Sequence, residues 1–211
     1  MVEKELLYVA ENFYSISVRE KCLAEYFYHI GRDDVCVTID PVLLFNKNFW
    51  ESRFKFKYLD SNDYILAYML DFDPRVMNIA KLVSEVLELP IISVEPPLYR
   101  KFKYKKAFAN KYIYTCGPDE FLSYIRNASF IITNSFHGTA FSVIFEKPFI
   151  TVTHPTRNDR ITSLLKMLNL ENYMVSNLGK KDLINALNKY PLHLENSKMI
   201  LKDLQESSYD F

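Results

Sequence analysis

Short apolar runs alternate with amphipathic stretches along most of the chain. Residues 64–70 (YILAYML), 91–94 and 112–115 are compact apolar or aromatic runs, and residues 129–153 (SFIITNSFHGTAFSVIFEKPFITVT) read as strand, tight turn, short helix and strand. Runs of this length, apolar throughout, predict strands buried on both faces. Between them lie stretches with helical spacing. In residues 18–30, Cys22, Leu23, Tyr26, Phe27 and Ile30 fall on one side, and Gly31 follows as a C-cap. Residues 35–39 (VCVTI) predict a strand that Asp40-Pro41 breaks. Residues 46–62 show no clear period and predict a connector. A helix is expected over 74–89, with Asp73 as N-cap and Pro74 at its first position, and another over 118–127, with Pro118, Asp119 and Glu120 in its first turn. Helices over 160–168, 182–189 and 195–205 and a short strand at 174–175 complete the pattern, the last helix packing back on the domain.

Strands that alternate with helices imply a parallel α/β sheet with right-handed connections. The 211 residues, 49% hydrophobic, exceed one minimal domain and support a packed core. The 16 Phe and 15 Tyr are read first as packing residues, with stacking on sugar faces as the alternative. Lys+Arg and Asp+Glu balance at 26 each, so nothing argues for a nucleic-acid partner. One segment departs from this balance: residues 96–111 carry six Lys or Arg and no acid, which fits either a solvated loop or steering of an anionic substrate or membrane surface. No apolar run approaches the ~20 residues of a transmembrane segment, and the first residues lack a secretory apolar region. Cys22, Cys36 and Cys116 are scattered, without CxxC spacing, and read as reduced, partly buried thiols. Cys116 precedes a helix start, which keeps a catalytic thiol as an alternative. Four glycines leave no GxGxxG and no P-loop, and the four histidines are dispersed, so neither a dinucleotide nor a metal cofactor is expected.

The turn Asn134-Ser135-Phe136-His137-Gly138 concentrates the chemistry. It places a side-chain acceptor, a titratable ring and a residue that tolerates positive φ just ahead of a helix. A helix start presents unpaired N–H groups and a dipole that favours an anion. A histidine there can bind that anion and donate a proton to it. The bland alternative is a histidine that caps or packs the turn.

These residues carry a resemblance. Thr133 to Ala140 with Phe145-Glu146-Lys147-Pro148-Phe149 resembles the SFHG turn and K-P-F segment of the polysaccharide pyruvyl transferase family. Ile16 to Lys21 resembles its "(S/V)-R-(D/E)-K" segment, Asp40 to Leu44 its "DPv-lL" segment, and Gly117 to Leu122 the helix start before its SFHG strand. The resemblance covers about residues 15–170. It implies a Rossmann-like parallel sheet flanked by helices, similar to the C-terminal half of a two-domain GT-B-like fold whose N-terminal half is mostly missing. Residues 1–49 are then a remnant of the N-terminal domain, 50–63 a connector, and 64–211 the C-terminal domain. The implied reaction transfers a pyruvyl group from phosphoenolpyruvate to two sugar hydroxyls of a cell-surface polysaccharide or its lipid-linked precursor, forming a pyruvate ketal. Phosphoenolpyruvate is donor substrate, and no cofactor or metal is implied.

On that reading His137 is the catalytic acid or a hydrogen-bond donor that binds the phosphate. Arg19, Ser135, Gly138 and Arg160 bind substrate, with Gly138 letting the backbone approach it closely. Structural alternatives stand beside each arginine: Arg19 as a surface residue paired with Glu20 or its neighbours, Arg160 as a helix-start residue. Asp40 reads as a turn cap and Glu120 as a helix cap. Asn134 stands where many members have Asp, and Glu146 where Gly is common, at some cost to a C-cap. The expected setting is cytoplasmic, peripheral to the inner membrane face by substrate class, with an oligomer or partner chain completing the cleft as an open possibility. Two other readings stay open: a GT-B sugar-nucleotide glycosyltransferase, against which the absence of an acid before Glu146 counts, and a truncated non-catalytic domain.

Overall fold

A computed structural model describes residues 2–57, 63–95, 108–153, 159–176, 179 and 194–209. Most of the basic stretch 96–111 and the helix expected over 182–189 lie outside the described residues. Two compact units emerge, one of residues Met1–Phe45 with Met199–Phe211, the other of Asn46–Lys198.

In the first unit, helices α1 (Val2–Asn12) and α2 (Lys21–His29) pack around two short parallel strands, β1 (Ser17–Val18) and β2 (Cys36–Val37), with Val18 opposite Val37. Ala10, Ile16, Val18 and Phe27 form the buried cluster, with Leu6, Val9, Leu23 and Ala24 against it. The helix expected from Val18 therefore starts later, at Lys21, because Val18 is drawn into strand pairing. Cys22 and Cys36, expected to be partly buried, are exposed. Gly31 takes φ +91° after the α2 C-cap, the conformation only glycine adopts freely. Asp40 caps a 3-10 turn, Pro41–Leu44, accepting from the Val42 amide at 3.2 Å. The last helix, here α8 (Leu194–Tyr209), ties down that turn: Gln205 donates to the Leu43 carbonyl at 2.7 Å and the Tyr209 hydroxyl to that of Leu44 at 2.9 Å.

The second unit contains a six-stranded, wholly parallel sheet of β3 (Ile65–Tyr68), β4 (Ile91–Val94), β5 (Lys111–Ile113), β6 (Phe130–Thr133), β7 (Phe149–Val152) and β8 (Met174–Val175), in the order β5-β4-β3-β6-β7-β8. Every residue of β6 and β7 is buried, as their unbroken apolar runs require. Burying each large apolar side chain contributes about 1.5–3 kcal/mol. The connecting helices are α4 (Pro74–Leu87), α5 (Pro118–Asn127), α6 (Phe136–Ile144) and α7 (Asp159–Met167). Asp73 accepts the Arg75 amide at 2.9 Å and so starts α4, while Glu120 reaches back to the Gly117 amide at 3.0 Å at the head of α5.

The expected connector 46–62 begins instead with helix α3 (Lys47–Arg53), capped by Asn46, which accepts from the Phe49 amide at 3.0 Å. Its stabilising contacts are tertiary. The Trp50 ring meets Phe141 of α6 at 5.0 Å and Phe56 meets Phe145 at 5.9 Å. Helices α4 and α6 both end on glutamates in the left-handed region, Glu88 (φ 55°) and Glu146 (φ 56°). At Glu146 the Schellman pattern is complete: the Lys147 amide donates to the Ser142 carbonyl at 2.8 Å and the Glu146 amide to that of Val143 at 3.0 Å.

Candidate functional site

In this strand order the chain reverses direction across the sheet between β3 and β6. Ligands of open parallel sheets bind outside the carboxyl ends of the strands at such a switch point. The segment after β3 and the turn after β6 occupy that place, and Asn134 joins them: its Oδ1 accepts from the Leu70 amide at 3.2 Å and its Nδ2 donates to the Asp71 carbonyl at 2.9 Å. An amide does both where an ionised carboxylate could only accept, which gives the asparagine at this position a structural reason.

Buried hydroxyls hold the turn. The Thr133 Oγ1 donates to the Tyr68 carbonyl at 2.8 Å and accepts from the Ser135 amide at 3.0 Å. Ser135, 1% exposed, is the N-cap of α6 and accepts from the Gly138 amide at 3.3 Å. Thr139 donates to the Ser135 carbonyl at 2.9 Å and meets Thr151 Oγ1 of β7 at 2.9 Å. The amides of Phe136 and His137 lie too early in α6 to find a carbonyl four residues back.

Gly138 corrects an expectation. It is the third residue of α6, not a left-handed turn residue: among the described residues the glycine with positive φ is Gly31. A Cβ at Gly138 would lie 2.4 Å from Thr133 Oγ1 and 2.9 Å from Tyr68 Cδ1, so the close approach there is of α6 onto β3 and β6.

His137 is exposed, its ring edge-on to Phe136 with centroids 5.5 Å apart. The Arg160 guanidinium, from the first turn of α7, stands 4.4 Å above the Phe136 ring, in cation–π range. Ser135, His137, Gly138 and Arg160 thus gather around the α6 N-terminus. Arg19 belongs to the first unit, where its guanidinium is ion-paired with the buried carboxylate of Asp40. Asn134, noted in the sequence only as a turn residue beside His137, proves to tie the two loops together, and Phe136 carries the Arg160 guanidinium, a contact the sequence did not suggest. The signal available for Asn134 was its place between a strand end and a helix cap.

Cys116 is half-buried, and its thiol is pushed up to about 11, first by burial and then by the charge of Glu120, with Lys57 opposing. At pH 8 such a thiol is about one part in a thousand thiolate, which removes its case as a nucleophile. Iodoacetamide at that pH is expected to alkylate exposed Cys22 and Cys36 well before Cys116. Peptide mapping by mass spectrometry reads the order, and equal rates at all three would contradict the placement.

Among the described residues no helix is long and apolar enough to cross a membrane, and no group of three or more His, Cys, Asp or Glu gathers as metal ligands would.

Known structures share the fold. UDP-GlcNAc 2-epimerase of Methanocaldococcus jannaschii, solved with UDP-GlcNAc and UDP, superposes with a TM-score of 0.51 at 19% identity, covering 92% of this chain and 61% of that one. MnaA of S. aureus, solved with UDP, gives 0.56 at 15% identity, covering 95% and 57%. Os79 of O. sativa, solved with UDP and a glucoside, gives 0.53 at 12% identity, covering 95% and 52%. The sheet and its helices are therefore of the GT-B type, and the chain spans about 60% of the length of the first two. No curated protein matches. The family model described as polysaccharide pyruvyl transferase matches residues 1–155. Nearly three quarters of the sequence, the SFHG turn and its flanks included, thus places this chain in the polysaccharide pyruvyl transferase family.

Proposed function

We propose that the chain transfers a pyruvyl group from phosphoenolpyruvate to two hydroxyls of a saccharide, forming a cyclic pyruvate ketal and releasing inorganic phosphate. The observation that carries the reading is the exposed His137 at the N-terminus of α6, with the Arg160 guanidinium stacked on the adjoining Phe136. The donor is an enol phosphate with a carboxylate, and both anionic groups suit a helix start and a guanidinium. A proton delivered to the methylene carbon makes the neighbouring carbon an electrophile. The first sugar hydroxyl adds there and gives up its proton. Phosphate then leaves with the C–O bonding pair, and the second hydroxyl closes the ketal, losing its own proton. His137 supplies the first proton and Arg160 holds phosphate or carboxylate, while Ser135 and Gly138 shape the helix start. Arg19 is a further anion ligand, in competition with its partner Asp40. The acceptor is a saccharide, in the family setting one borne on a lipid at the inner face of a membrane. A second copy or a partner chain completing the acceptor side belongs to the same reading.

The fold likeness to proteins solved with UDP favours one rival, a nucleotide-sugar enzyme. Melting the purified chain with millimolar phosphoenolpyruvate or UDP-GlcNAc separates the two. Phosphoenolpyruvate at ~100 times its dissociation constant should stabilise by about 2.7 kcal/mol. A shift with UDP-GlcNAc alone would move the assignment to the rival. No shift with either, in a chain that melts cooperatively, would leave a non-catalytic domain.

A further inference from the structure

At the opposite end of the sheet, where β6 and β7 begin, an open cavity of about 510 Å³ is bounded by α3, the end of α5, and the segments leading into the two strands. Its charged lining residues are Lys47 and Glu51 of α3, Arg126 of α5, and Glu146 and Lys147 ahead of β7. Both carboxylates are engaged. Glu51 accepts from Arg126 Nε at 2.8 Å, and Glu146 pairs with Lys198 at 3.1 Å. Neither Lys47 nor Lys147 has a carboxylate partner among the described residues. The Lys147 ammonium is half-buried, and burial first, then the charges of Lys47 and Arg126, push it below the usual lysine range. Three cations therefore converge on one polar cavity, and two of them lack a counter-charge among the described residues. An oxyanion with two or more charges would relieve that repulsion and accept hydrogen bonds from both ammonium groups. The space exceeds what a single phosphate ion fills and lies within the range of small-molecule sites.

We propose that this cavity is a second anion site, separate from the His137 turn, that takes the phosphate or diphosphate group of a small phosphorylated molecule. It does not depend on the reaction proposed above. The same chemistry is offered by a soluble sugar or nucleoside phosphate and by the headgroup of an anionic lipid.

Acetylation of the whole chain at pH 8, quantified by peptide mapping, tests it with inorganic pyrophosphate as probe. Pyrophosphate should slow modification of Lys147 about tenfold at ten times its dissociation constant, leaving exposed Lys202 unaffected. Lys47→Gln should remove that protection while the chain still melts cooperatively, and His137→Ala should retain it. Glucose 1-phosphate and vesicles of phosphatidic acid separate the sources: protection by the sugar phosphate assigns a soluble ligand, and protection by the vesicles alone a lipid headgroup. Modification of Lys147 that pyrophosphate leaves unchanged, or protection that survives Lys47→Gln, would overturn the proposal.

Discussion

Replacing His137 by glutamine is expected to lower phosphate release from phosphoenolpyruvate by about 10²–10⁴-fold, the usual contribution of a positioned general acid. The melting temperature should not change. His137 is exposed at the second position of α6, its ring touches Phe136, and none of the hydroxyl bonds that secure the turn run through it. Glutamine keeps a polar donor of similar length but has no titratable proton. The kinetic split is therefore informative. A fall confined to kcat identifies a proton donor, and a rise confined to KM identifies a phosphate ligand that takes no part in proton transfer. Equal rates for the two proteins would remove His137 from the site.

Gly138→Ala should be the most disruptive conservative change in the same turn. The added methyl would sit 2.4 Å from Thr133 Oγ1 and 2.9 Å from Tyr68 Cδ1. Thr133 cannot simply rotate away, because its hydroxyl donates to the Tyr68 carbonyl and accepts from the Ser135 amide. Relief then requires α6 to move off the sheet. Overpacking of this kind costs about 1–3 kcal/mol, and the better helix propensity of alanine returns up to about 1 kcal/mol. A net loss near 1–2 kcal/mol lowers the melting midpoint by several degrees. Shortening the neighbour by Thr133→Ala should make the second change cheaper, a coupling that a double-mutant cycle measures. An undisturbed midpoint for Gly138→Ala would mean that α6 is seated less tightly than described. Because α6 also carries the amides to which the proposed function assigns the donor's anionic groups, the variant should weaken phosphoenolpyruvate binding in parallel.

The elements whose signals are local were legible in the sequence. Asp73 with Pro74, Glu120 three residues after Gly117, and Ser135 three before Gly138 each announce a helix start through bonds that span two or three residues. The apolar runs of β3, β6 and β7 announce buried parallel strands. What escaped depends on partners far away in sequence. Helix α3 is fixed by Trp50 on Phe141 and by Arg126 on Glu51, contacts across 75 or more residues. Asn134 acquires its role from Leu70 and Asp71, more than 60 residues earlier. Val18 is a strand residue only because Val37 lies beside it. At the site, the turn and its histidine stood out by composition and resemblance. The stacking of Arg160 on Phe136 needed the fold, since α6 and β7 lie between them in the chain.

The left-handed glutamates at the ends of α4 and α6 belong with the small number of glycines. Four glycines in 211 residues is well under half of ordinary usage. A glycine at Glu88 or Glu146 would relax the folded backbone, but it would also widen the set of conformations open to the denatured chain. Carrying side chains at these two positions places mild strain in the native state and narrows the ensemble it competes with. Exchanging either glutamate for glycine should therefore raise thermal stability by less than the relief of backbone strain alone, and at Asn169 (φ 55°), a residue type that visits the left-handed region more readily, by less still.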